Sequence, residues 1–217
     1  MERKVKLYCL SGLGVDHRAF LEISLPKAEM VHVAWIPPKK KETLTDYAKR
    51  LFDETSPEEN YWVIGVSFGG MIAQEWAKIS APEQLVLISS THDQKHIKPI
   101  LRIPGKLGVH RLLHPKIATI FAPLVYSLFG AKKREEKLLL KAILNDTDPN
   151  FLRWATGALL QWSSEPSLTS INIHGKNDKM ITSPERIDLE TEGGHFTIFS
   201  EGEEISQFLS AKIDGEK

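Results

Sequence analysis

Apolar residues along the chain fall into short β-branched runs that alternate with stretches of three- and four-residue periodicity. Val5–Leu10 (VKLYCL), Met30–Trp35 (MVHVAW), Tyr61–Gly65 (YWVIG), Gln84–Ile88 (QLVLI) and Ser170–His174 (SINIH) are predicted as buried strands, with Ile187–Thr191 as a weaker sixth. Thr43–Thr55, Phe68–Ser80, the long stretch after Thr91 and Glu203–Ile213 carry helical patterns. Apolar strands separated by helices require a parallel sheet that is covered on both faces. The predicted fold class is therefore α/β, a mostly parallel sheet flanked by helices. Ligands of such sheets bind beyond the carboxyl ends of the strands, so candidate chemistry is sought there.

One interval breaks the rhythm. Ser89 to Ser170 is too long for an ordinary helical connection. It is punctuated by Pro99, Pro104, Pro115, Pro123 and Pro149, and carries Trp154 and Trp162 in FLRWATGALLQW. The expectation is one domain, 1–217, with a helical cap insertion at about 91–165 that includes one helix returning to the sheet. Ile117, Ile120, Phe121, Leu124, Val125 and Leu128 form one helical face. That face must bury itself against the sheet, another cap helix or an acyl chain. Phe121 and Leu124 are the candidate substrate-pocket residues.

Composition narrows the function classes. Hydrophobic residues make up 41% of the 217 and charged residues 26%, which excludes a disordered or fibrous chain. The 28 Lys+Arg balance 28 Asp+Glu, and a net charge of zero argues against nucleic acid as the main partner. The balance is not local. Thr91–Lys141 holds 11 basic against three acidic residues, and Asp178–Lys217 four basic against ten acidic. That asymmetry suits a solvated helical region and an acidic last helix, or a basic insertion that meets an acidic group on a ligand.

Cys9, the single cysteine, permits neither an internal disulfide nor a cysteine-built zinc site. Lys6 interrupts the apolar start and no small-residue cleavage site follows, so Val5–Leu10 is expected as a first strand and not a secretory signal. The longest uncharged run, Ile117–Ala131, has 15 residues with Pro123 inside it. A spanning helix needs about 20. The expectation is a soluble, cytoplasmic protein without stable membrane insertion, its oligomeric state left open.

The candidate chemistry begins at Gly65-Val66-Ser67-Phe68-Gly69, a GxSxG between a β-rich run and the helical MIAQEWAKIS. A sharp strand-to-helix turn exposes the serine at the top of a sheet, and the glycines let strand and helix approach closely. A chain of this length contains GxSxG by chance about 0.07 times, at typical glycine and serine frequencies. The plainer alternative is a serine that only caps the helix.

A serine hydroxyl needs a base, and the base an orienting acid. His195, in Glu192-Gly193-Gly194-His195-Phe196, follows the last strand on a flexible glycine loop; His174, at the end of a strand, is its rival. Asp178 lies just past Ser170–His174, and Asp93, beyond Gln84–Ile88, is the alternative acid. The loop Ser11-Gly12-Leu13-Gly14 ends the first strand, so the backbone N–H groups of Leu13 and Phe68 are candidates for an oxyanion hole.

SGLGVDHRAF, GVSFGG, HGKNDKM and GGHF, in that order, resemble the α/β-hydrolase superfamily with its Ser…Asp…His chain order. The resemblance implies that family's sheet, a cap after the strand ending near Ile88, and acyl transfer to water. It departs from many members in carrying Ser11 where they have His, and in starting directly at the oxyanion-loop strand, a minimal version of the fold. It implies a serine hydrolase acting on a small-molecule acyl substrate, an ester or thioester, with no metal or cofactor. Amide or carbon–carbon bond hydrolysis and a catalytically silent binding protein stay open.

Overall fold

The computed structural model describes residues 4–107, 120–165 and 169–215. Its single sheet contains β1 (Val5–Leu10), β2 (Ala28–His32), β3 (Tyr61–Val66), β4 (Gln84–Ile88), β5 (Ser170–Gly175) and β6 (Leu189–Thr191). The strand order is β2-β1-β3-β4-β5-β6 and every neighbouring pair is parallel. The helices are α1 (Leu44–Thr55), α2 (Phe68–Ile79), α3 (Pro99–Lys106), α4 (Ala122–Phe129), α5 (Arg134–Asp146), α6 (Pro149–Leu159), α7 (Thr197–Ser200) and α8 (Gly202–Ile213). The chain leaves β1 for β2 on one side and returns to β3 on the other. The carboxyl ends of β1 and β3 therefore flank the switch point where such sheets bind ligands.

Strand alternation divides the core into two layers. Tyr8, Leu10, Tyr61, Val63, Leu85 and Leu87 face α1, α2 and α6, while Leu7, Cys9, Ile64, Val66, Val86 and Ile88 face the layer that contains α8. Trp76 locks the first layer. Its indole N–H donates to Ala48 O at 3.0 Å and its ring meets Phe52 edge-on. α6 is the returning sheet helix, because Phe151 and Ala155 share the core of α1 and α2. The buried Glu75 carboxylate accepts from Trp162 Nε1 at 2.8 Å and from Lys78 Nζ at 2.6 Å, tying the chain after α6 to α2.

Two strands differ from the sequence pattern. The apolar alternation predicts Met30–Trp35, but pairing spans Ala28–His32, because β1 offers partners only that far and Val33 N–H makes the last bond, to Cys9 O. Trp35 leaves the sheet, donates its indole N–H to Val15 O at 3.1 Å and stacks on Phe151. The last strand is shorter than Ile187–Thr191, beginning at Leu189. The insertion is helical where described, and no described helix is long and apolar enough to cross a membrane. Ile117 and the rest of 108–119 lie outside the described residues.

Close approach of β3 to α2 depends on Gly65. A β-carbon there would lie 2.5 Å from both Gly69 O and Gly70 Cα, whereas one at Gly12 would find its nearest neighbour at 3.6 Å. Gly65→Ala should therefore cost at least about 1–3 kcal/mol, and Gly12→Ala less than about 1 kcal/mol. Urea unfolding of both variants checks this; equal losses would show that the β3–α2 contact is not the tight one.

Candidate active site

Ser67 is both the end of a strand and the start of a helix. Its N–H continues the β3–β4 ladder by donating to Ile88 O at 2.9 Å, while its C=O accepts from Gly70 N–H at 3.0 Å and from the Ser90 hydroxyl at 2.7 Å. Its backbone sits at φ 52°, ψ −116°, a conformation strained for a residue with a β-carbon. The capping alternative fails, because the hydroxyl makes no bond to the helix it precedes. Instead Ser67 Oγ lies 2.9 Å from His195 Nε2.

His195 reaches Ser67 from the loop after β6 and is only 4% exposed. Its Nδ1 lies 2.8 Å from Asp178 Oδ2. An ionised carboxylate only accepts, so Nδ1 carries the proton and Nε2 is free to accept from the Ser67 hydroxyl. Phe196 N–H donates to Phe129 O at 2.8 Å, which fastens this loop to the end of α4. The fastening is close. A β-carbon on Gly130, which ends α4 at φ 78°, would stand 2.7 Å from Gly194 Cα.

Asp178 leaves the end of β5 and is buried. Its Oδ1 accepts from the N–H groups of Met180 at 2.7 Å and Ile181 at 3.0 Å, which leaves Oδ2 for His195. Burial alone pushes the carboxyl up. The electrostatic attraction and hydrogen bond of His195, with the two backbone N–H groups, outweigh it and hold Asp178 below the usual carboxylate range. Asp93, the alternative acid, accepts from Lys95 N–H at 2.8 Å as the cap of a short helical turn and makes no bond to His195.

His174, the rival base, is buried beside the same acid. Its Nε2 stands 3.5 Å from Asp178 Oδ2, makes no hydrogen bond, and does not meet Ser67. Burial holds the imidazole below its ordinary pKa, against the pull of Asp178.

Leu13 and Phe68 line one cavity with Ser67 and His195. Phe68 N–H is the first amide of α2 and has no partner within the helix. The Leu13 loop is pinned through Val15 O, which accepts from the Ser11 hydroxyl at 2.6 Å and from Trp35. The cavity measures about 310 Å³, and its walls include Ile97, Leu101, Val125, Phe129, Leu152 and Leu159.

Phe121 and Leu124 are not among its walls. They are 57% and 53% exposed, while Val125 and Phe129 of the same stretch turn inward. Pro123 sets the helix start so late that Phe121 becomes the residue before it. The α6 wall escaped the sequence reading, although Leu152, Thr156 and Leu159 share one helical face by spacing.

No protein-family profile and no curated protein sequence matches the chain. Solved structures do. An esterase from Exiguobacterium antarcticum superposes over 99% of this chain and 93% of its own, at 14% identity and a TM-score of 0.73. The enol-lactonase from Burkholderia xenovorans LB400 does so over 95% and 90%, at 16% identity and TM-score 0.73. A thermophilic esterase from Thermogutta terrifontis covers 100% and 92%, at 14% and 0.70. The chain has the α/β-hydrolase fold. In this α/β-hydrolase sheet the elbow serine follows β3 and the buried acid β5, with the histidine on the loop after β6.

His174 provides a test of the buried acid's surroundings. Its depressed pKa means that the unfolded chain takes up the proton first as pH falls. The stabilising contribution is complete above about pH 6.5 and is lost below it. In His174→Gln the pH slope of unfolding free energy between about pH 7 and 5 should be shallower, by up to about 1.4 kcal/mol per pH unit. Urea melts across that range check it, and an unchanged slope would mean that His174 is not held neutral by the fold.

Proposed function

We propose that the protein is a serine hydrolase that cleaves a small carboxylic ester or thioester. The observation that carries this reading is the hydrogen-bonded line from Ser67 Oγ through His195 to Asp178, at a strained turn opening on an apolar cavity. Ser67 Oγ attacks the acyl carbonyl while His195 Nε2 takes its proton, and Asp178 orients the imidazole and stabilises its charge. The amides of Leu13 and Phe68 hold the developing oxyanion, and the N-terminal end of α2 adds its favourable dipole. His195 then returns the proton to the departing alcohol or thiol. The resulting acyl-enzyme is opened by water, which His195 activates in the same way. The names of the similar structures, two esterases and an enol-lactonase, favour ester cleavage over amide or carbon–carbon cleavage. A silent binding protein would not require the hydroxyl to face a base.

Turnover of p-nitrophenyl esters and labelling by a fluorophosphonate test the proposal. Ser67→Ala should abolish labelling and lower turnover by about 10⁴–10⁶-fold. Labelling that persists in Ser67→Ala would sink the assignment. Asp178→Asn should cost far more turnover than Asp93→Asn, and the opposite order would move the acid to the end of β4.

A further inference from the structure

We infer that the substrate's acyl group is an uncharged aliphatic chain of about six to ten carbons, selected by the cavity beside Ser67; this inference rests on the ester-hydrolase reading. The first ground is the chemistry of the walls. Among the described residues no Lys, Arg, Asp or Glu lines the cavity, and the polar side chains are Ser67, His195 and Thr156. Ser67 and His195 are bonded to each other. The Thr156 hydroxyl donates to Leu152 O of its own helix at 2.8 Å, so its hydrogen is not offered to an anion.

The second ground is that the lysines next in sequence to wall residues, Lys98 and Lys179, are not walls themselves. The Lys98 ammonium donates to Asp178 O, and the Lys179 ammonium to the Ser127 hydroxyl at 2.8 Å. A carboxylate on the acyl chain would surrender its water and find no counter-ion among the described walls, which apolar sites penalise heavily.

The third ground is size. About 310 Å³ lies at the small end of the roughly 300–1,000 Å³ of small-molecule sites, which suits a chain of medium length and not a long one. The space is bounded on three sides by Ile97 and Leu101, by Val125 and Phe129, and by Leu152 and Leu159. Each added methylene that enters such walls improves transition-state binding until the cavity is full. The expected gain in kcat/KM is about threefold to fourfold per methylene.

The experiment measures kcat/KM of the whole chain for p-nitrophenyl esters from acetate to palmitate, with the succinic acid hemiester as the charged counterpart of butyrate. The expected result is a rise from acetate to a maximum between hexanoate and decanoate, with the hemiester at least about a hundredfold below butyrate. Leu159→Phe should move the maximum to shorter chains and Leu159→Ala to longer ones, the second serving if the first does not fold. A series that is flat or falls from acetate, a hemiester equal to butyrate, or a maximum that neither variant moves overturns the inference and leaves the hydrolase reading intact. Failure to cleave any neutral ester, together with no labelling of Ser67, overturns both.

Discussion

Holding Ser67 at positive φ costs about 1–3 kcal/mol, and the fold around it is arranged to hold it there. The turn can be this sharp only because β3 and α2 nearly touch at Gly65 and Gly70. The same closeness extends to β1, since a β-carbon on Gly69 would collide with Ser11 O and Leu10 O. One contact therefore sets both the elbow and the start of the loop that carries Gly12 and Leu13. A β-carbon on Gly12 would lie 3.7 Å from Ser67 Cβ, which measures how near that loop comes. The burial of α2 from Phe68 to Ala77 offsets the local strain.

A second constraint joins the insertion to the loop of His195. The end of α4 presses on Gly194, Phe129 O accepts from Phe196 N–H, and the Phe129 ring stands edge-on to His195 at 5.8 Å. Phe129 also walls the cavity. The element that bounds the cavity beside Ser67 is thus one that also packs against the His195 loop. Two other walls of the cavity meet each other: Ile97 bridges to Ile181 in antiparallel fashion, one residue from Lys98 and three from Asp178.

Much of this was legible in the residue pattern. β1 and β4 agree with their apolar runs residue for residue, and β3 and β5 extend theirs by one. Central strands covered on both faces leave little freedom of register. β2 was less legible because it is an edge strand, whose length is set by what β1 offers and by the pull of Trp35 toward Phe151. Ser67, His195 and Asp178 come together, as their places after β3, β6 and β5 imply. Separating Asp178 from Asp93 needed coordinates, since both follow strands and only the bonds they make differ. The pocket was the least legible part. A helical stripe such as Phe121, Leu124, Val125 and Leu128 says that a face is apolar without saying what covers it, and in the helix that starts at Ala122 it is Val125 and Phe129 that wall the cavity.

The central claim, that one strained serine is aligned with its base, its oxyanion donors and its acyl cavity, is tested most directly by the crystal structure of the protein after reaction with an octyl fluorophosphonate. The account predicts phosphorus bonded to Ser67 Oγ, the phosphoryl oxygen within hydrogen-bond distance of the Leu13 and Phe68 amides, and the octyl chain lying between α3 and α6. A phosphoryl oxygen turned away from both amides, or an alkyl chain left in solvent, would contradict it.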